Sequence, residues 1–131
     1  MPFINIKIAG LALTGEHIGH LQRQVTNLMA QVLRKKPALT SVLVEQLAAS
    51  GWSVGGEPLK GAAHLDARVT AETNTAAEKS RFICDADALL KAIVGPDLPI
   101  TTYAVIDELP ADAWSYAGLT QAHRAGAALA G

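Results

Sequence analysis

The chain has 131 residues, half of them apolar, and a formal net charge of −1. This length favours one domain with a single hydrophobic core. The balanced charge argues against a polyanion-binding protein, because the longest basic run, residues 34–36, is too short for a nucleic-acid surface. The lone Cys84 excludes an internal disulfide and a cysteine-based zinc cluster. No apolar run is long enough to span a bilayer, so we expect a soluble cytoplasmic protein without membrane partners.

The first strand follows directly after a proline. Isoleucine alternates with polar residues over residues 3–9, which predicts a strand with one apolar face. Removal of Met1 turns the nitrogen of Pro2 into a secondary amine. An α-amine has a pKa of about 7.7–8.0, and apolar surroundings or a nearby cation lower it further. Pro2 is therefore a candidate general base, and the alternative is that it merely begins an edge strand.

A helix and a second strand complete the first part of the chain. Thr14 is a candidate N-cap, and apolar residues at helical spacing predict a helix over residues 15–33, with Pro37 as its stop signal. β-Branched residues predict a strand over residues 39–47. A short extended segment, residues 52–56, then ends in two glycines.

The second half of the chain repeats this order. A second helix is predicted from the Thr75 cap to about residue 94, between strands around residues 65–69 and 99–109. Equivalent residues are 61 or 62 positions apart. They pair as Thr14 with Thr75, Pro37 with Pro99, and Trp52 with Trp114. Both tryptophans of the protein thus occupy equivalent positions, which indicates an internal duplication.

Each unit has the order strand, helix, strand. Such a crossover makes its two strands parallel. We therefore predict an α/β (α+β) fold, a single domain in which two units, about residues 2–59 and 63–121, form one four-stranded sheet with both helices on one face. The other face of the sheet is not wholly polar, and packing around a symmetry axis would cover it.

Several of these features occur together in a known family. They are Pro2, the helix capped by Thr14, residues 40–44 (TSVLV) and residues 52–56 (WSVGG). In this combination the first unit resembles the tautomerase superfamily, typified by 4-oxalocrotonate tautomerase. The second unit resembles a fused and diverged copy, an arrangement that also occurs in that superfamily.

The resemblance implies an isomerase in which Pro2, as general base or acid, interconverts the enol and keto forms of a small 2-oxo acid. It implies that Trp52 provides an apolar wall beside Pro2 and that neither a metal nor an organic cofactor is needed. Single-unit members form hexamers, so it implies a homotrimer for a two-unit chain. Ala63 or His64 takes the place of Pro2 in the second unit, so we expect one proline site per protomer.

Two positions depart from the family pattern. Ala12 and Leu43 stand where the type enzyme has the arginines that bind substrate carboxylates. A substrate carboxylate would therefore need a cation from elsewhere. Four are available: Lys7, Arg34, Arg68 and Arg81. We take Lys7, together with Trp52 and Glu108, as the candidate substrate-binding residues.

Two alternatives stay open. In the first, Pro2 acts as an acid or a cation in the hydration, decarboxylation or dehalogenation of a small acid. Glu108, at the end of the fourth strand, would then position water. In the second, the chain is a non-catalytic oligomeric member of the fold. The missing arginines motivate both alternatives.

Overall fold

Eight strands and three helices lie in residues 2–130, the part of the chain that the computed structural model describes. The strands are β1 (Phe3–Ala9), β2 (Ser41–Leu47), β3 (Ser53–Val54), β4 (Glu57–Pro58), β5 (Ala62–Thr70), β6 (Tyr103–Leu109), β7 (Ser115–Tyr116) and β8 (Leu119–Thr120). The helices are α1 (Gly15–Leu33), α2 (Ala76–Ile93) and α3 (Gln121–Ala130). None of these helices is long and apolar enough to cross a membrane.

The main sheet confirms the predicted fold. Its strand order is β2-β1-β5-β6, with β1 parallel to β2 and β5 parallel to β6, as the helical crossovers require. The two units join through the antiparallel pair of β1 and β5. Equivalent strands hold the same register: Phe3 lies opposite Ser41 in the first unit, and His64 lies opposite Tyr103 in the second.

Helices α1 and α2 both pack on one face of this sheet, as predicted. Every second strand residue points toward them and is buried, as in Ile4, Ile6, Ile8, Leu65, Ala67 and Val69. The apolar stripes of the helices cover this face with Leu21, Val25, Met29, Phe82, Ala86 and Leu90. The opposite face stays uncovered in the single chain, where the side chains of Leu43 and Tyr103 are 45% and 61% exposed.

The two long helices begin with the same local structure. Thr14 and Thr75 each form a capping box, as the sequence predicts for an N-cap threonine. In each, the threonine hydroxyl accepts a hydrogen bond from the third helical amide, and that residue's side chain accepts from the threonine amide. The third residue is His17 in α1 and Glu78 in α2. The helix starts are therefore fixed locally.

Both outer strands begin later than predicted. β2 begins at Ser41 because Pro37–Leu39 forms a 3-10 turn. β6 begins at Tyr103 because the Thr102 N–H donates to the Pro99 carbonyl (3.0 Å) in a similar turn. A proline opens each turn, since its fixed φ suits a turn and its missing N–H cannot join a strand ladder.

A short hairpin follows each unit's second main strand. After the predicted extended segment over residues 52–56, Gly55 and Gly56, with φ of 61° and 81°, turn the chain back so that β4 pairs with β3. In the second unit, the equivalent hairpin of β7 and β8 leads into α3. Helix α3 extends to residue 130, and Gly131 lies outside the described residues.

Polar side chains connect the end of α1 to the start of α2. Arg34 ends α1 in the left-handed conformation, with φ of 59°. Its guanidinium donates to both carboxylate oxygens of Glu78, at 2.7 and 3.2 Å, and to the Thr73 carbonyl at 2.9 Å. The Asn74 side chain donates to the carbonyl of Leu33 (2.9 Å). Hydrogen bonds from Arg34, above all, lower the pKa of Glu78 from 4.5 to about 2.

Replacing Glu78→Gln should lower the free energy of unfolding at neutral pH. The fold favours the ionised carboxylate, so its stabilisation is present above the ordinary pKa and is lost as the pH falls through the lowered value. The difference between wild type and E78Q should therefore be constant above about pH 5 and shrink on further acidification. Urea unfolding at a series of pH values measures it, with E57Q, at an exposed carboxylate of β4, as the control. A pH-independent difference would contradict the assignment.

Candidate active site

Pro2 lies at the start of a central strand. β1 is flanked by β2 and β5, so the edge-strand alternative for this proline is wrong. Pro2 is fully buried, and its carbonyl accepts a hydrogen bond from the Ser41 N–H (3.2 Å). Strands on both sides hold the backbone that follows, which suits a group that must be placed rigidly. Met1, which we expect to be removed, lies outside the described residues.

A pocket of about 230 Å³ opens beside Pro2. Most of its lining is apolar or aromatic, with two serines. The lining residues are Pro2, Phe3, Leu39, Ser41, Trp114, Ser115 and Tyr116. None of them carries a formal charge. Drug-sized ligands occupy about 300–1,000 Å³, so this pocket suits a smaller molecule.

The indole in this pocket belongs to Trp114 of the second unit, whereas we expected Trp52 of the first. The strand directions explain the difference. β2 is parallel to β1, so the chain leaves β2 toward Trp52 at the end of the sheet opposite to Pro2, about 20 Å away along a seven-residue strand. β6 runs antiparallel to β1, on the far side of β5, and so ends at the same end of the sheet as Pro2; Trp114 follows it.

Trp114 is held in place by a buried threonine. Its indole Nε1–H donates to the hydroxyl oxygen of Thr70 at 3.1 Å, and Thr70 is 9% exposed. The Trp114 carbonyl accepts a hydrogen bond from the Gln121 N–H (3.1 Å). The equivalent of Thr70 in the first unit is Ala9, which has no hydroxyl. The polar anchor is therefore specific to the tryptophan that faces Pro2.

Ser115 and Tyr116, the other pocket-lining residues of the second unit, contact an arginine that was not among the predicted site residues. The guanidinium carbon of Arg124 in α3 lies 3.9 Å from the ring centroid of Tyr116. Its Nη2 donates to the Tyr116 carbonyl (2.7 Å), and its Nε donates to the Ser115 hydroxyl (3.3 Å). Nothing in the local sequence marks Arg124, because its role depends on how α3 folds back on the hairpin.

Lys7 does not line the Pro2 pocket. It lies further along β1 on the uncovered face of the sheet, 3.8 Å from the carboxylate of Glu45, and it hydrogen-bonds the side chain of Asn5. Asn5 also donates to Glu45 (3.0 Å). Lys7 is thus bound in a polar cluster on the sheet, and this chain's pocket does not use it.

Glu108 is also absent from the pocket lining. It alternates with Ala104 and Ile106, which pack on the core, and so points toward the helices. Lys79 of α2 donates to its carboxylate at 2.8 Å. This hydrogen bond is the main reason why the pKa of Glu108 lies below its ordinary value. Our expectation that Glu108 contacts substrate therefore has no geometric support within one chain.

The other candidate cations are mostly paired elsewhere. Arg34 binds Glu78, and Arg81 lies 3.5 Å from Asp85 on the surface of α2. Arg68 lies 3.8 Å from Asp107 and is directly opposite Phe3, a pocket-lining residue. Of the four cations considered, Arg68 is the one that the strand register brings beside the pocket.

The second unit carries different residues at the position of the proline site. Because His64 is equivalent to Phe3 in the sheet register, Ala63 is equivalent to Pro2. The Nε2 of His64 lies 2.9 Å from the carboxylate of Asp66, and its ring is 5.9 Å from that of Tyr103. Among residues 2–130, no three His, Cys, Asp or Glu side chains are close enough to hold a metal ion.

A larger groove of about 520 Å³ lies between α1 and β2. It is lined mainly by polar side chains, of which Arg23 and Asn27 are exposed and Gln22 is half-buried, at an open edge of the sheet. It offers a cation but no group suited to proton transfer near neutral pH, whereas the smaller pocket contains the proline and three aromatic side chains. The smaller pocket is therefore the candidate active site.

Solved structures share this fold over nearly the whole chain. Q0 fused 4-OT, a wild-type symmetric trimer, has a TM-score of 0.81 at 18% identity, over 93% of this chain and 98% of that chain. Pt0534 inactivated by 2-oxo-3-pentynoate has a TM-score of 0.82 at 12% identity, over 92% and 96%. Native fused 4-OT has a TM-score of 0.79 at 16% identity, over 92% and 96%. At these identities the likeness shows the fold.

The first unit also matches at the level of sequence. Residues 2–62 match the family described as Tautomerase enzyme. Probable tautomerase K2 of Dickeya dadantii (strain 3937) is 39% identical over 57 residues, which are 44% of this chain and 85% of the relative. The family match includes Pro2, α1 and β2. These matches show that the chain belongs to the tautomerase family, and its two-unit fold is like that of fused 4-OT.

Proposed function

We propose that this protein is a keto–enol tautomerase that acts on a small 2-oxo acid through the amine of Pro2. The observation that carries the proposal is the pocket itself, in which a buried proline at the tip of a central strand meets an indole and a phenol ring. Membership of the tautomerase family and the relative named probable tautomerase support the same reaction type.

The proposed chemistry is a proton transfer within the substrate. After Met1 is removed, the Pro2 nitrogen takes the proton from the enol hydroxyl and returns it to the neighbouring carbon, which leaves the ketone. Apolar walls disfavour the protonated amine and so favour the free base that the first step needs. The hydroxyls of Ser41, Ser115 and Tyr116 are the neutral donors available in the lining for the substrate oxygens.

We further propose a homotrimer. The uncovered face of the sheet includes the exposed side chains of Phe3, Leu43, Leu47 and Tyr103. Burying such a surface between copies would remove apolar area from water. Related fused 4-OT structures are described as symmetric or asymmetric trimers. A trimer would also allow a neighbouring copy to add a cation to a pocket that lacks one.

Pro2→Ala should reduce kcat/KM for ketonisation of phenylpyruvate enol by at least about tenfold. General base catalysis contributes about 10²–10⁴-fold, and the alanine variant keeps a primary amine that retains part of it. Steady-state ultraviolet assays measure the rate. Unchanged activity would contradict the proline mechanism and favour a non-catalytic or different role for the fold.

Intact mass of the purified protein must accompany this assay. Retention of Met1 makes the Pro2 nitrogen an amide with no basic lone pair, so a fraction that keeps Met1 should be inactive. Because Pt0534 is inactivated by 2-oxo-3-pentynoate, the same compound should add to the mature chain. Peptide mapping should then locate the adduct on Pro2 in wild type, and no N-terminal adduct should form on the Met1-retaining fraction.

Trp114→Ala should lower kcat/KM much more than Trp52→Ala. Only Trp114 lines the Pro2 pocket, and removing its indole admits water beside the amine. We expect a loss of about tenfold or more for Trp114→Ala, equivalent to about 1.4 kcal/mol of transition-state binding, and less than about twofold for Trp52→Ala. A larger effect from Trp52→Ala would contradict the single-chain pocket and indicate that Trp52 of another copy completes it.

Thr70→Val should loosen Trp114 without changing the size of the buried side chain. It leaves the indole N–H without its acceptor, which costs about 1–3 kcal/mol when the donor is buried. We expect lower stability in urea and easier acrylamide quenching of Trp114 fluorescence, measured in a W52F background. Quenching equal to that of the W52F parent would show that the hydrogen bond does not hold the indole.

A further inference from the structure

We propose that Arg124 of α3 is a positioning residue for the active site, which fixes the Ser115–Tyr116 wall of the pocket against Pro2. The catalytic readout of this inference rests on the proposed tautomerase function, whereas its structural readout does not. The family match ends at residue 62, before this part of the chain.

The wall needs support because it lies on a very short hairpin. β7 and β8 contain two residues each. Isolated two-stranded hairpins are at best marginally stable in water. The turn adds strain at Ala117, which has φ of 54°. The Cβ of a non-glycine residue in the left-handed region comes too close to the following carbonyl oxygen. The hairpin therefore depends on contacts from outside its own ladder.

Arg124 supplies three such contacts from one planar group. It stacks on the Tyr116 ring, donates to the Tyr116 carbonyl at 2.7 Å and donates to the Ser115 hydroxyl at 3.3 Å. A guanidinium can stack and donate in its plane at the same time, which a lysine ammonium cannot do. Since Ser115 and Tyr116 both line the pocket, Arg124 acts on the site through them.

The first unit lacks this arrangement. The residue 62 positions before Arg124 is Ala62, where the chain already enters β5 instead of a helix. The β3–β4 hairpin is therefore followed by a strand of the main sheet. Only the second hairpin contributes to the pocket at Pro2, and only that hairpin is followed by α3. The β3–β4 hairpin is therefore an internal control, a similar hairpin with no equivalent of Arg124.

The same geometry separates a positioning role from direct substrate binding. Arg124 does not line the pocket, and its Nε and Nη2 are engaged with the wall. Loss of the wall contacts should weaken substrate binding whether or not the substrate has a carboxylate. A direct carboxylate contact would instead affect only the charged substrate, and lysine would partly preserve it.

The test compares R124Q and R124K on phenylpyruvate and on its neutral methyl ester. Hydrogen bonds from a charged donor are stronger than neutral ones, so their loss should displace the Ser115–Tyr116 wall. We therefore expect KM to rise about tenfold in R124Q for both substrates, with a smaller change in kcat. R124K should resemble R124Q. R81Q, at an exposed arginine of α2, is the matched control and should behave as wild type. A loss confined to the acid and rescued by lysine would overturn the proposal.

A second measurement tests the structural role of Arg124 without depending on enzyme activity. Hydrogen exchange should become faster at the β7–β8 amides in R124Q and stay unchanged at the β3–β4 amides, with R81Q again as the control. Unchanged exchange at β7–β8 would overturn the inference even if the enzyme is active. If exchange responds but neither substrate is turned over by wild type, Arg124 still holds the wall and the proposed tautomerase function is the part that fails.

Discussion

The antiparallel pairing of β1 with β5 determines the active site. It places Phe3 opposite Arg68, so the start of β1 and the end of β6 lie at the same end of the sheet, with β5 between them. The chain that leaves β6 then brings Trp114 and the β7–β8 hairpin over Pro2. Neither unit has both parts of the pocket, because within each unit the parallel strands carry the first residue and the tryptophan to opposite ends. The site is thus a product of the fusion geometry.

Local features of the sequence were sufficient to predict the four main strands, the two long helices and the fold. The threonine caps at Thr14 and Thr75, the apolar periodicities and the prolines mark the helices, and the duplicated order gives the sheet and its single helical layer. The predicted starts of β2 and β6 were less accurate, because turns at Pro37 and Pro99 make both strands begin later. Family membership was also predictable, from Pro2 and the segment over residues 52–56.

The walls of the pocket were not predictable from the same information. Trp52 was chosen because its motif matches the family, but motif spacing says nothing about which unit's tryptophan approaches Pro2. Lys7 and Glu108 were chosen by residue type, and both are held by neighbouring side chains elsewhere on the sheet. Trp114 was visible as the repeat of Trp52, and combining that repeat with an antiparallel junction between the units would have placed it. Arg124 could not be found in this way, because the equivalent residue of the first unit is Ala62.

The two units differ at the residues that form the Pro2 pocket. Pro2 of the first unit corresponds to Ala63 of the second, and Thr70 of the second unit corresponds to Ala9 of the first. The pocket therefore combines the proline of one unit with the anchored indole of the other. The most direct measurement uses single-tryptophan proteins titrated with a 2-oxo acid such as phenylpyruvate. If Trp114 faces the pocket, fluorescence should be quenched saturably in W52F, which keeps Trp114, and should not respond in W114F. Saturable quenching in W114F with no response in W52F would contradict the account.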